Sequence, residues 1–232
     1  MNARILSGSH LKLLAVVTML IDHLAAFWWY DLPQFQTVWF SIGHRAVTPI
    51  VLMRMIGRIA LPLFCFLIVE GFIHTRNRRR YGINLAVFAV LSEIPWNLVH
   101  SGKLFFPAQN VFFTLLLGYL GLCAIESFKD RKGAMAGALL GLLAVSVLLR
   151  ADYGCFGYGF TLLLYALREH KLLQAVIGCC VLPSRWIGGL AFIPINMYNG
   201  ERGFVKGPVW KYAFYLFYPL HLLAIWWLRG IS

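Results

Sequence analysis

The feature that most constrains this chain is a series of long apolar segments separated by short clusters of basic residues. A helix needs about 20 mostly apolar residues to cross the hydrocarbon core of a bilayer. The chain is 60% hydrophobic and only 13% charged, whereas a soluble domain is about a quarter charged. The pattern therefore predicts an all-α fold, a polytopic integral membrane helical bundle.

We predict about eight or nine transmembrane helices in a single domain covering residues 1–232. The clearest spans are Leu11–Tyr30, Met55–His74, Tyr81–His100, Val111–Phe128, Gly133–Leu149, Cys155–Leu167 and Tyr212–Leu228. The segment Leu172–Tyr198 is weaker, because "LPSRWIGG" divides it into two short halves. These halves can form either two thin helices or a re-entrant pair.

The formal net charge of +12 is interpreted through this topology. Basic clusters at residues 76–80, 129–132 and 168–171 recur at every second connection, and Lys and Arg mark cytoplasmic loops. Because Arg4 and Lys12 precede or open the first span, we place the N-terminus in the cytoplasm. The chain has no RNA-binding motif and no zinc-ligand spacing, so we predict neither a nucleic-acid partner nor a metal. The five cysteines are odd in number and lie in or beside apolar segments, which argues against a disulfide framework.

Ionisable side chains at membrane depth cost about 3 kcal/mol each on insertion scales, so they usually face a partner or a cavity. At predicted membrane depth the chain carries Asp22, His23, Arg58, Glu70, Glu93 and His221. Asn110, Thr114 and Asp152 lie near span ends. We expect these groups to converge from separate helices on one polar cavity in the outer half of the bundle.

Asp22 and His23 are adjacent, yet neighbouring side chains on a helix point about 100° apart. His23 lies about 16 Å along the helix from Lys12 and is the candidate general base, since imidazole titrates near neutral pH. Asp22 is expected to anchor another helix, with Arg58 as its candidate partner. Glu93 is the candidate for orienting the ring of His23.

His221 follows Pro219 in the last span, where it serves either helix packing or function. A second polar set lies toward the cytoplasm and consists of Glu70, residues 76–80, Asn199, Glu201, Arg202 and Lys206. Such a basic rim favours an anionic cytosolic ligand. Its alternative interpretation is topology signalling with contacts to anionic lipid.

Several segments together resemble the TraX family. They are "LKLLAVVTMLIDH", "GRIALPLFCFLIVEGFIHTRNRRRYGINLAVFAVLSEIPWNL", "NVFFTLLLG", "DYGCFGYG", "YNGERG" and "KYAFYLFYPLHLL". They occur in order and cover most of the chain. TraX proteins are associated with N-terminal acetylation of conjugative pilin, and the family resembles the type-3 membrane acyltransferases. In those enzymes a basic residue precedes a histidine by eleven positions on the first helix, a spacing that Lys12 and His23 share.

The resemblance implies acyl transfer in the bacterial cytoplasmic (inner) membrane, with acetyl-CoA as the donor. The acceptor would be a pilin peptide, another peptide or a glycan. His23 would act as the general base, assisted by Asp22 and Glu93, or as a covalent acyl carrier. The candidate positions for binding the donor or substrate are Lys12, Arg58, Asn110, Thr114, Asp152, Asn199, Arg202 and Lys206.

Two other functions remain open at this level. A proton-coupled transporter would use Asp22, His23 and Glu93 as a relay at the membrane midplane. A non-catalytic membrane assembly factor would use the same charges only for packing.

Overall fold

The computed structural model describes residues 4–43, 45–183 and 186–231. This part of the chain is predominantly helical, as predicted. In chain order the helices are α1 Gly8–Phe27, α2 Pro33–Gln36, α3 Pro49–Gly57, α4 Ala60–His74, α5 Arg78–Leu91, α6 Glu93–Ser101, α7 Val111–Ser127, α8 Lys132–Leu148, α9 Gly154–Ala166, α10 Lys171–Val181, α11 Trp186–Gly189, α12 Phe192–Asn196 and α13 Gly207–Arg229. A small antiparallel hairpin of β1 (Phe40–Ile42) and β2 (Arg45–Val47) lies between α2 and α3.

Within the described residues, three helical segments are long and apolar enough to cross a membrane: Gly8–Phe27, Pro49–His74 and Arg78–Ser101. They correspond to the first three predicted spans. Shorter apolar helices follow between residues 111 and 196, so the total of eight or nine spans stays a prediction. The last helix, α13, has 23 residues but is outside this group of three, since its Tyr, Trp, Lys and His residues reduce its mean hydropathy.

Two of the long segments are broken by proline. Pro62 cannot donate a hydrogen bond to the carbonyl of Arg58, and Pro95 cannot donate one to that of Leu91. Accordingly α3 ends at Gly57 and α4 begins at Ala60, while α5 ends at Leu91 and α6 begins at Glu93. The interruptions place Arg58 and Glu93 at helix junctions. In the weak segment, α10, α11 and α12 are separate short helices, and Ser184 and Arg185 lie outside the described residues.

Helix α1 packs against α3, α4 and α13, while α7 packs against α4, α5, α8 and α9. The connection before α13 closes the start of α1, because the amide N–H groups of Gly8 and Ser9 donate to the carbonyls of Glu201 and Arg202 at 2.8 and 3.0 Å. These bonds satisfy two of the amides that a helix start leaves unpaired. They also bring Arg202 close to Lys12 on the first turns of α1.

Candidate functional site

A cavity of about 580 Å³ lies between α1, α4, α5, α7 and α13. Helix α1 lines it with Gly8, Lys12, Val16 and Met19, and α13 with Lys211, Phe214, Tyr215 and Tyr218. Residues three or four positions apart share one helix face. Each helix therefore presents a single stripe of side chains to the cavity.

One end of the cavity is cationic, and we call it the basic mouth. It is formed by Lys12, Arg80, Arg202 and Lys211. Among the described residues that line the cavity, Glu70 is the only carboxylate. This excess of positive charge, backed by a low-dielectric wall, attracts anions.

The opposite end of the cavity is apolar and is lined by Met19, Val111, Phe112 and Tyr218. Tyr218 is only 3% exposed. Its hydroxyl oxygen faces the backbone N–H of Val111, and its O–H has no acceptor among the described residues. The next residue along the cavity stripe of α1, four positions after Met19, is His23. The basic mouth and His23 thus lie at opposite ends of one helix face.

His23 is hydrogen-bonded to His221, a contact between residues 198 positions apart. Nδ1 of His23 and Nε2 of His221 are separated by 2.7 Å. The two rings are nearly parallel, with an interplanar angle of 2° and centroids 5.0 Å apart. Nδ1 of His221 lies 2.8 Å from the carbonyl oxygen of Phe217, one turn earlier on α13.

Glu93 does not orient the ring of His23, so that expectation is wrong. Its carboxylate accepts hydrogen bonds from the backbone N–H of Asn110, at 3.1 Å, and from the side-chain amide of the same residue. The amide of Asn110 also donates to the carbonyl of Ala89 at 2.8 Å, and its Oδ1 caps α7 by accepting from the N–H of Phe112. Glu93 and Asn110 therefore tie the α5–α6 junction to the start of α7.

Asp22 does anchor another helix, but its partner is Arg54 rather than Arg58. Nη1 of Arg54 lies 2.6 Å from Oδ2 of Asp22. Arg58, one turn further on, interacts with Asp22 only electrostatically. Gly57 lies between the two arginines, and a Cβ at this position would overlap the Asp22 carboxyl group. The carboxylate of Asp22 can approach α3 only because residue 57 has no side chain.

Thr114 and Asp152 meet, since the hydroxyl of Thr114 donates to the carbonyl oxygen of Asp152. The carboxyl group of Asp152 interacts electrostatically with Asp22, Arg54 and Arg58. Burial raises the pKa of Asp152 to about 6, while the N–H of Tyr153 opposes the rise. The loop that carries Asp152 thus joins the polar cluster around Asp22.

The three remaining predicted residues differ in their position relative to the basic mouth. Arg202 lines it, whereas Lys206 lines neither described cavity and precedes the first turn of α13. Asn199 stabilises its own turn, where its Oδ1 accepts from the N–H of Glu201 at 2.9 Å. It also lines a second cavity of about 180 Å³ together with Arg4, Arg168 and Lys171.

The predicted residues therefore do not converge on one polar cavity, and six of them fall in three places. Lys12 and Arg202 meet at the basic mouth, His23 lies one turn beyond its apolar end, and Asp22, Arg58 and Asp152 form a polar cluster beside His23. His221, which the sequence left open between helix packing and function, is the hydrogen-bond partner of His23. The described residues contain no group of three or more His, Cys, Asp or Glu side chains that could hold a metal ion.

A family model described as "TraX protein" matches residues 7–229 of the chain. The probable fimbrial assembly protein FimC, serogroup H1, of Dichelobacter nodosus is 30% identical, and the match covers 94% of each chain. An uncharacterized protein of Rickettsia prowazekii (strain Madrid E) is 28% identical over 52% of this chain and 37% of its own length. No solved structure matches the chain.

Proposed function

This chain belongs to the TraX family, and from that premise we propose that it is a membrane-embedded acyltransferase. It moves an acetyl group from cytosolic acetyl-CoA to an amine or hydroxyl of an envelope substrate, with His23 as the general base. The fimbrial assembly protein to which the chain is similar favours a pilus-related acceptor, such as the N-terminus of a pilin peptide. Another peptide or a glycan has the same reactive groups.

The proposal rests on the cavity, which extends from the basic mouth to the apolar end near His23. Acetyl-CoA is an anionic nucleotide attached to a long neutral arm that ends in the thioester. Lys12, Arg80, Arg202 and Lys211 offer the charge that its phosphates require. The apolar stripe along α1 and α13 suits the arm, and it leads the thioester toward His23.

The reaction would proceed by general-base catalysis. His23 takes the proton from the acceptor N–H or O–H while that nitrogen or oxygen attacks the thioester carbonyl carbon. The carbonyl electron pair moves to oxygen, and the tetrahedral intermediate then breaks its C–S bond. The sulfur leaves with the bonding electrons and receives the proton from His23, which regenerates the neutral base.

The oxyanion of the intermediate needs a hydrogen-bond donor. Asn110 has already committed its amide to Glu93 and Ala89, and Lys12 lies about 16 Å along α1 from His23. The buried hydroxyl of Tyr218 has no hydrogen-bond acceptor among the described residues, so its proton is available, and its ring centroid is 6.1 Å from that of His23. We assign the donor role to Tyr218.

The decisive experiment compares wild-type protein with His23→Ala in lipid nanodiscs, using radiolabelled acetyl-CoA and envelope extract from cells that lack the protein. We expect the wild type to release CoA and label an envelope component, and His23→Ala to lose about 10²- to 10⁴-fold of that activity. Mass spectrometry of envelope peptides and glycans, with and without the protein, would identify the acceptor by one acetyl mass. Full transfer by a folded His23→Ala variant would contradict the role of His23.

The fimbrial assembly protein also favours a second candidate, a non-catalytic assembly factor. Protection from thermal unfolding by CoA, but not by other nucleotides, distinguishes the two functions. A carrier is less favoured, because Asp22 is paired with Arg54 and Glu93 with Asn110 instead of forming a relay with His23. Accumulation of substrate in sealed vesicles without any acyl-CoA would reverse that preference.

A further inference from the structure

We propose that His221 is a positioning residue that fixes the tautomer of His23, leaving Nε2 of His23 as the basic nitrogen. The inference rests on the proposed function for its catalytic meaning. The hydrogen-bond geometry that carries it is independent of any reaction.

The tautomer of His221 is fixed by its contact with Phe217. A backbone carbonyl can only accept a hydrogen bond, so the 2.8 Å contact with Nδ1 of His221 requires a proton on that nitrogen. A neutral imidazole has one N–H and one lone pair. Nε2 of His221 is then an acceptor, which points at His23.

The next contact follows from the first. Nδ1 of His23 lies 2.7 Å from the accepting Nε2 of His221, so His23 donates its Nδ1–H. The lone pair of the neutral His23 ring is thereby confined to Nε2. This nitrogen makes no hydrogen bond with the described residues and can take a proton from an acceptor group.

The packing of the two rings supports a fixed arrangement. His221 is 7% exposed, its ring stacks on that of Phe217, and it lies parallel to the ring of His23, edge to edge along the hydrogen bond. Phe27 and Tyr218 enclose the ring of His23 on other sides. Among the described residues, Arg54 on α3 and His100 on α6 also interact electrostatically with His23.

In the proposed reaction, His23 transfers the proton and His221 holds the ring of His23 in place. Nε2 of His23 takes the proton from the attacking group and later gives it to the sulfur, while Nδ1–H stays bonded to His221 throughout. His221 gains and loses no proton. Its acceptor nitrogen orients the ring and stabilises the transient imidazolium, as the third group of a serine-protease triad does.

The first test is independent of catalysis. The full-length protein is labelled with ¹⁵N in the histidine rings and examined by NMR in nanodiscs, and the signals of His23 are assigned from their loss in His23→Ala. We expect a protonated Nδ1 and an unprotonated Nε2 on His23, changing to a mixture of tautomers in His221→Phe. A wild-type ring that carries its proton on Nε2 would overturn the inference.

The second test is kinetic. His221→Phe keeps an aromatic ring but has no acceptor, so we expect kcat to fall roughly 10- to 100-fold while KM for acetyl-CoA changes less than about twofold. His221→Gln provides a side-chain oxygen that can accept from Nδ1–H, and should recover part of the loss. Equal kcat for the wild type and His221→Phe, with His23→Ala inactive, would overturn the inference.

His100 supplies the matched control. It makes the same kind of bond to the carbonyl four residues earlier, 2.9 Å from Trp96, and its ring packs against Trp96 and Phe106. His100→Gln should leave the tautomer of His23 unchanged. If the wild type itself transfers no acetyl group, the proposed function fails, and the NMR result alone decides the arrangement of the pair.

Discussion

At the scale of single residues, the adjacent Asp22 and His23 serve two different contacts. They point about 100° apart on α1, and each finds a partner on a different helix: Arg54 on α3 and His221 on α13. This angle prevents a bond between the two side chains, and it allows one turn of α1 to contact both α3 and α13. Asp22 is therefore a structural contact, and His23 is the candidate for chemistry.

Asp22→Asn should weaken the fold more than it weakens any chemical step. The substitution removes a charge-assisted bond to the half-exposed Arg54, which we expect to cost about 1 kcal/mol. Thermal unfolding in nanodiscs measures the loss. Asp31→Asn is the control, because its 2.9 Å ion pair with Arg229 is exposed on both sides and should be worth about 0.5 kcal/mol or less. Equal losses for the two variants would remove the structural role of Asp22.

The raised pKa of Asp152 predicts that the free energy of unfolding depends on pH. Its pKa is raised to about 6 from 3.8 by burial, so the folded state holds this proton more tightly than the unfolded state. Protonated Asp152 contributes to the free energy of unfolding in full below pH 3.8. This contribution is lost as the pH rises toward 6. The melting temperature of Asp152→Asn should lack this decline, whereas Asp130→Asn, a change at an exposed position, should retain it. A parallel decline in wild type and Asp152→Asn would exclude Asp152 as its source.

At the scale of helices, proline breaks two long apolar segments, and a polar residue lies at each break. Pro62 and Pro95 each remove one intrahelical hydrogen bond, and Arg58 and Glu93 lie at the resulting junctions. A second sequence feature affects the packing between helices: because Gly57 has no side chain, the Asp22 carboxylate can approach α3. Small residues have this role in membrane helix packing because they allow backbones to come close.

Gly57→Ala should separate α1 from α3. The added Cβ overlaps the Asp22 carboxyl group, so either the ion pair with Arg54 or the helix spacing must change. We expect a lower melting temperature, together with reduced acetyl transfer because α1 also carries His23. Gly141→Ala on α8 has open space around its new Cβ and should be neutral or stabilising by up to about 1 kcal/mol. A wild-type melting temperature for Gly57→Ala would show that the contact has no role in packing.

At the scale of the whole molecule, the cavity extends through the bundle from the basic mouth toward His23. Its basic mouth gathers residues from α1, α5, α13 and the connection before α13, and its apolar end lies one turn from His23. The basic cluster at residues 76–80 lies partly at this mouth. Arg80 lines the cavity, whereas its neighbour Arg79 does not.

This difference gives a test with a matched pair. If the mouth binds the donor phosphates, Arg80→Gln should raise KM for acetyl-CoA by about tenfold, since a charge-assisted bond contributes about 1.5–3 kcal/mol. Arg79→Gln removes the same charge from the same segment and should leave KM close to that of the wild type. Equal effects of the two variants would instead support a general attraction of anions or lipid to this end.

The sequence by itself determined the class of protein, the positions of the first three apolar segments and the candidacy of His23. Hydropathy is a local property of the chain, and the cost of placing a charge in lipid does not depend on the fold. The order and extent of the matching segments also made the TraX family recognisable, which the family model confirmed.

Only the tertiary structure decided which polar groups meet. Arg54 and not Arg58 pairs with Asp22, Asn110 engages Glu93, and His221 bonds to His23 across 198 positions of sequence. These pairs depend on the rotation and axial offset of packed helices, which are set by contacts between distant segments and leave no local pattern. The pair at residues 22 and 23 could therefore be found in the sequence, while the partners of both side chains could not.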